Sequence, residues 1–272
     1  PLLVPPSAQA RTAAIPGGSD LSQWWSLTDS TRAAAISASS AAGMRVIVTD
    51  AKDGGPVAWS TPSYSTFTTL ASGDGAVERV VRDGHAKGLL VIARFDVFED
   101  SAAAAKFPGS RIAGSVWVDP ACSDVRAFVI AQVKDLVSRT AIDEINFDHV
   151  RYPQPPDISA GAGAELPCTG STLGDVSHAD RGAIIASWVR DAVAAAHSVR
   201  SSVRTSASVF GSTMSDAQAD IGQDAARFAP LLDALRPMLY PSYYSSTAES
   251  MPYQTVHHEP AKGLEKFGDA KI

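Results

Sequence analysis

Residues 142–153 read IDEINFDHVRYP, a stretch that opens as a strand and closes on charged residues before a Pro/Gly-rich loop. Side chains alternate across a strand, so Glu144, Asn146 and Asp148 share one face and Ile145, Phe147 and His149 the other. A polar face with a carboxylate at its end is costly in a core unless that carboxylate is paired or used. Barrel enzymes carry their chemistry at the C-terminal ends of parallel strands, which is where Asp148 would stand.

Outward from this stretch the chain alternates strands with helices. Strands are predicted at 44–50, 89–98, 143–150, 205–210 and 236–240, and helices at 29–42, 75–87, 125–139, 181–199 and 222–234. Elements of this length imply parallel strands joined by right-handed crossovers. No GxGxxG follows a strand and no GxxxxGK[ST] occurs, which counts against a nucleotide-binding sheet. The segment from Pro153 to about Asp180 is a long loop of the kind that tends to be functional.

The chain has 272 residues, 45% hydrophobic and 19% charged, as one packed α/β barrel domain would. A net charge of −6 without any Lys/Arg run gives no basis for nucleic-acid binding. No apolar run is long enough to span a bilayer. Residues 1–20 read as a secretion leader or linker, and residues 21–272 as the barrel domain. Cys122 and Cys168 both fall in loops. A disulfide between them fits an exported, secreted or cell-envelope protein, and two free thiols is the other reading.

Polar groups gather at the strand ends: Asp50, Lys52 and Asp53; Arg94, Asp96, Glu99 and Asp100; Asp148, His149, Arg151 and Tyr152; then Tyr240, Tyr243 and Tyr244. Aligned parallel strands would bring them to one rim, with carboxylates for proton transfer, arginines for hydroxyls and aromatic faces for sugar rings. Structural roles compete with these. Asp148 can be a plain ion pair with Arg94 or Arg151, Asp50 a turn former, Glu144 a buried hydrogen-bonding group, and Trp24, Trp25 and Trp59 core. His257 and His258 form no HExxH and read as surface or loop, and no metal site or cofactor is supported.

Beyond the residue-level reading, VIVTDAKDGG, VIARFDVFED, IDEINFDHVRYP, ASVFG and IGQDAARFAPLLDALRPMLYPSYY occur in order. They resemble segments of the DUF4015 family of glycoside hydrolases, similar to VIDVKD, IARxVxFxD, DEIQFDYIRFP and SPMVYPSHY. The resemblance implies a (β/α)8 TIM barrel distantly similar to α-amylase-type glycosidases, acting on a polysaccharide. It places Asp148 at the nucleophilic carboxylate. Asp50, Lys52 and Asp53 match its VKD-type motif, Arg94 and Arg151 its strand-end arginines, and Tyr240 and Tyr243 its MVYPSHY-type motif. Ser208 stands where relatives often carry an Asp. A first strand is not recognisable before Asp20, and two further strands are expected after Ile272, so strands two to six are readable.

These readings converge on a secreted glycoside hydrolase in which Arg94 and Arg151 keep Asp148 ionised. Asp96 and Asp50 are the first candidates for its acid partner, and Glu249 an outside one. Lys52, Asp53, Arg94, Arg151, Tyr240 and Tyr243 would bind substrate. Ser208 sustains a rival reading, a non-catalytic carbohydrate-binding barrel. A deacetylase or amidase is a third reading, and it would ordinarily want a His/Asp metal cluster.

Overall fold

A computed structural model describes residues 18–20, 27–64, 75–112, 114–154, 157–175, 178–215, 219–241 and 250–268. Six parallel strands form one curled sheet: β1 (Gly18–Asp20), β2 (Val46–Lys52), β3 (Leu90–Asp96), β4 (Glu144–Asp148), β7 (Arg204–Phe210) and β8 (Ala234–Met238). Each strand pairs with the next along the chain. That singly wound order is the order of a (β/α) barrel, whereas doubly wound sheets reverse direction at a switch point. Strands β5 (Glu165–Leu166) and β6 (Ser171–Thr172) form a separate antiparallel hairpin within the long loop.

The sheet forms because its strands carry apolar residues toward the helices and polar residues toward the curled interior. Helix α2 (Ala76–His85) buries Val77, Val80, Val81 and Gly84 along one side, the 3.6-residue spacing of an amphipathic helix. A Cβ on Gly84 would come within 3.0 Å of Val91 Cγ2, so glycine permits the close approach of α2 to β3. Helix α4 (Ser123–Arg139) packs Val125, Val129, Val133 and Leu136 inward. Helix α5 (His178–Val199) brings Trp188 edge-on to Phe98 and Phe147, at ring separations of 5.4 and 5.3 Å. Phe147 therefore fills the outer layer, while its neighbours Asn146 and Asp148 face the interior.

The disulfide Cys122–Cys168 closes a span of 46 residues and ties the long loop to the start of α4. The loop's far end is earlier than the sequence implied, because α5 begins at His178.

Three expectations need correction. Gly18–Asp20, read as part of the leader or linker, pair with Val46–Val48 as β1. The helix expected over 222–234 is reduced to α6 (Ala225–Phe228). Asp224 caps its start by accepting from Arg227 N at 3.2 Å, and Pro230 has no N–H to donate to the Ala226 carbonyl and so interrupts the helical ladder. Finally, α3 (Ser101–Lys106) and α7 (Pro252–Phe267) are helices where none was expected. His257 and His258 lie exposed on α7, on the surface but not in a loop.

Candidate active site

Register brings the polar strand ends together. Asp50 pairs with Arg94, Arg94 with Asn146, and Asp96 with Asp148, and in-register residues of parallel strands point to the same face. The mostly buried Arg94 is the hub. Its Nε donates to Asp148 Oδ2 at 2.6 Å and its Nη1 to Asp50 Oδ1 at 2.9 Å. Nη2 lies 3.3 Å from Asp96 Oδ1, and Asp53 Oδ1 is 3.9 Å from Nη1. Burial alone would make this guanidinium easier to deprotonate, but Asp148, Asp96 and Asp50 outweigh it and hold the proton more firmly than usual.

His149 completes the cluster. It is the only described non-glycine residue in the left-handed region, at φ 47°. Its backbone N–H donates to Asp148 Oδ1 at 2.7 Å. The left-handed turn places its ring between two carboxylates, with Nδ1 3.0 Å from Asp96 Oδ1 and Nε2 3.1 Å from Glu99 Oε2. The Asp96 contact is an ion pair rather than an aligned hydrogen bond. Trp117 meets the ring edge-on at 5.5 Å. Burial pulls the imidazole pKa down, but Asp96, Asp148 and Glu99 push it up further, so the net shift favours the imidazolium.

The carboxylates fall into different electrostatic settings. Asp96 is buried, which alone would raise its pKa. His149, Arg94 and the Gly54 N–H, at 2.9 Å, together hold it below the usual carboxylate range. Asp53, whose side chain is 38% exposed, is displaced in the opposite direction. Partial burial raises its pKa, Asp96 and Asp50 raise it further, and Arg94 and His149 compensate only in part.

Two cavities open beside this cluster. The first, about 360 Å³, is lined by Arg94, Asn146, Asp148, Ser208, Arg236 and Tyr240, among others. The second, about 470 Å³, is lined by His149, Arg151, Gln154, Asp157, Phe210 and Ser212, with Met238 contributing to both. Below the first cavity, Glu144 is fully buried and accepts from Ser206 and Arg236, the structural role read from its depth. Ser208 donates to Asn146 Oδ1 at 2.8 Å.

Asp50, Asp53, Arg94, Asp96 and Asp148 are thus brought together as the sequence implied, and Tyr240 stands with Arg94 and Asp148 on the wall of the first cavity. Asp50 and Asp96 are 2% and 1% exposed, which disfavours both for the acid role expected of them; neither they nor Asp53 line the two cavities, but the Asp53 side chain is 38% exposed. Lys52 does not bind at the rim. A register shift between Asp50 and Lys52 sets Lys52 beside Phe95, on the opposite face from Asp50. There it is wholly buried, paired with Asp100 at 2.6 Å and Gln132 at 3.0 Å.

Arg151 does not flank Asp148. It bonds Asp157 at 3.0 Å and faces the second cavity. Trp59 is core, donating to Asp135 at 2.8 Å. Tyr243, Tyr244, Glu249, Trp24 and Trp25 lie outside the described residues. His149 stands among the strand-end polar groups of the sequence but carries no expected role there, because strict alternation assigns it to the outer face and nothing in HVRYP signals a positive φ.

Asp96, Asp148 and His149 offer ligand atoms within 4.8 Å of one another, close enough for a cation. The guanidinium of Arg94 is hydrogen-bonded to Asp148 and ion-paired with Asp96, so both carboxylates already have a cation from the protein itself. No helix among the described residues is long and apolar enough to cross a membrane.

Solved structures with the same fold include the PgaB (BpsB) glycoside hydrolase domain from Bordetella bronchiseptica. It is 14% identical, with a TM-score of 0.69 over 94% of this chain and 82% of that one. The endo-beta-1,4-mannanase from Thermotoga petrophila is 11% identical, with a TM-score of 0.64 over 92% of this chain and 58% of that one. A hypothetical protein from Ruminiclostridium thermocellum is 20% identical, with a TM-score of 0.52 over 69% and 95%. At these identities the likeness is one of fold. No curated protein matches the chain. Residues 21–271 match DUF4015, described as a putative glycosyl hydrolase domain, and the chain belongs to that family.

Proposed function

We propose that the protein hydrolyses glycosidic bonds of a polysaccharide with Asp148 as the ionised carboxylate and Asp53 as the acid. Glycosidic cleavage needs one carboxylate that stays charged and one carboxyl group that keeps a proton for the leaving oxygen. The carrying observation is the contrast around Arg94. Asp148 is bonded to it at 2.6 Å on the wall of an open cavity, while Asp53, at 3.9 Å, is partly exposed and pushed toward its protonated form. Partial burial and the neighbouring Asp96 and Asp50 favour the protonated form of Asp53, as a general acid needs. Arg94 is the fixed cation that orients Asp148, and Tyr240 offers an exposed ring at the cavity wall. Export to the envelope or beyond fits the Cys122–Cys168 disulfide.

A second reading has one observation in its favour. Ser208 is spent on Asn146, so β7 presents no carboxyl group to the cavity, as a glycan-binding barrel without catalysis would. Incubation with a panel of bacterial and plant polysaccharides separates the two. Reducing ends released by wild type and not by Asp53→Asn support the hydrolase, whereas glycan binding without release supports the binding protein.

A further inference from the structure

The second cavity holds an arrangement that the hydrolytic roles do not use. Arg151 is 7% exposed, and its guanidinium lies over the Trp117 ring at 4.5 Å and near the Phe210 ring at 5.5 Å. Stacking of this kind fixes the plane of the fork. Nη1 is engaged twice, with Asp157 Oδ2 at 3.0 Å and with the Tyr152 carbonyl at 3.1 Å. Nε and Nη2, the two donors along the other edge, have no partner among the described residues and are not sealed from solvent. On the same cavity wall, Asp157 spends Oδ2 on Arg151 Nη1 and on Gln154 N at 2.8 Å, and its Oδ1 has no hydrogen bond among the described residues. A parallel pair of donors and an acceptor lining one cavity, fixed before any ligand arrives, is a preorganised polar site in a cavity of ligand size.

We propose that this cavity is a second sugar subsite, which takes a neutral pyranose through two adjacent hydroxyls, so that a glycan chain spans both cavities. The proposal rests on the hydrolase reading for the position of the scissile bond, but the subsite has its own geometry. Hydroxyls are the matching ligand because each accepts from the Arg151 fork and can donate to Asp157. A carboxylated sugar meets a rim where Asp50, Asp53, Asp96, Asp148 and Glu99 outnumber Arg94 and His149, while Arg151 is already balanced by Asp157. An ammonium-bearing sugar presents donors where the fork also presents donors. Met238 belongs to the walls of both cavities, so adjoining units of one chain can occupy them together.

The test uses the full chain with Asp148→Asn to prevent turnover, and calorimetric titration with manno- and gluco-oligosaccharides of one to six units. Oligogalacturonates and glucosamine oligomers serve as charged probes. Arg151→Lys keeps the charge and loses the fork. Ser212→Trp fills the cavity from the opposite wall, so the test survives if one variant fails to fold. The expected result is that neutral oligomers bind with affinity that rises with length, and that each folded variant weakens the longer ones about tenfold or more while monosaccharide binding is unchanged. Variants that bind long oligomers like the parent, equal losses at every length, a preference for charged oligomers, or no binding of any probe would overturn the subsite. Polysaccharide hydrolysis by the chain with Asp148 intact is measured in parallel. Cleavage without any dependence on Arg151 or Ser212 removes the subsite and leaves the hydrolase. Length-dependent binding without cleavage removes the hydrolase and leaves the subsite.

Discussion

Arg94 lies opposite Asn146 in the sheet, yet its Nε reaches diagonally to Asp148, two residues further along β4, and bonds it at 2.6 Å. The same guanidinium holds Asp50 and Asp96. One mostly buried cation thus joins carboxylates from β2, β3 and β4.

Replacing Arg94 should therefore do more than lower activity. Arg94→Met leaves Asp50, Asp96 and Asp148 clustered without their shared cation, and loss of one partner of a buried pair costs about 3–5 kcal/mol. Arg94→Lys keeps a charge but cannot fork between carboxylates, so it should recover stability more than turnover. Urea melts and reducing-end assays on both variants check this; equal recovery of both properties would remove the orienting role.

His149 gives the cluster a defined pH response. Its folded pKa is raised above the ordinary value of about 6.5. Its stabilisation is therefore complete below about pH 6.5 and is lost as pH rises through the raised value. Asp96 has the opposite sign. Its pKa is depressed, so its contribution is present above about pH 3.8 and is lost as pH falls through the lowered value. The difference in melting temperature between wild type and His149→Gln should be widest between about pH 4 and 6.5 and should close in alkaline buffer. A difference as large in alkaline buffer as at pH 5 would show that the ring is not held as a cation.

Asp53→Asn tests the acid assignment. Loss of general acid catalysis typically costs about 10²–10⁴-fold in rate. A substrate whose leaving group needs no protonation, such as a dinitrophenyl glycoside, should be cleaved by the variant nearly as fast as by wild type. Equal impairment on both substrates would assign Asp53 to binding.

Lys52 is expected to matter for folding alone. Lys52→Met strands Asp100 in the core without its partner, at a cost of about 3–5 kcal/mol. Folded Lys52→Met protein should retain the wild-type KM, and a raised KM would return Lys52 to the substrate site.

The disulfide gives a separate check on the loop. Cys122→Ser should lower stability by about 2–4 kcal/mol in non-reducing buffer, and wild type in reductant should reproduce that loss. An unchanged melt would argue for free thiols in solution.

The barrel order and most of the rim were legible because the inward faces of β2, β3 and β4 alternate strictly. A period of two, read from Asp148, is enough to align Arg94 and Asp50 beside it. The failures come where that period breaks. The register shift after Asp50 rotates Lys52 into the core, and the positive φ at 149 swings the imidazole onto the rim. Pro230 cuts short a segment whose apolar spacing otherwise reads as a full helix. Arg151 was correctly placed at a strand end but credited to the wrong carboxylate, since its partner Asp157 comes from the loop that follows.

The most direct measurement is release of reducing ends from polysaccharide by wild type and Asp148→Asn, with melting curves on both. Asp148→Asn should abolish turnover with the melting temperature nearly intact, since Arg94 keeps Asp50 and Asp96. Turnover retained by Asp148→Asn would contradict the assignment of Asp148 and with it the catalytic reading of the rim.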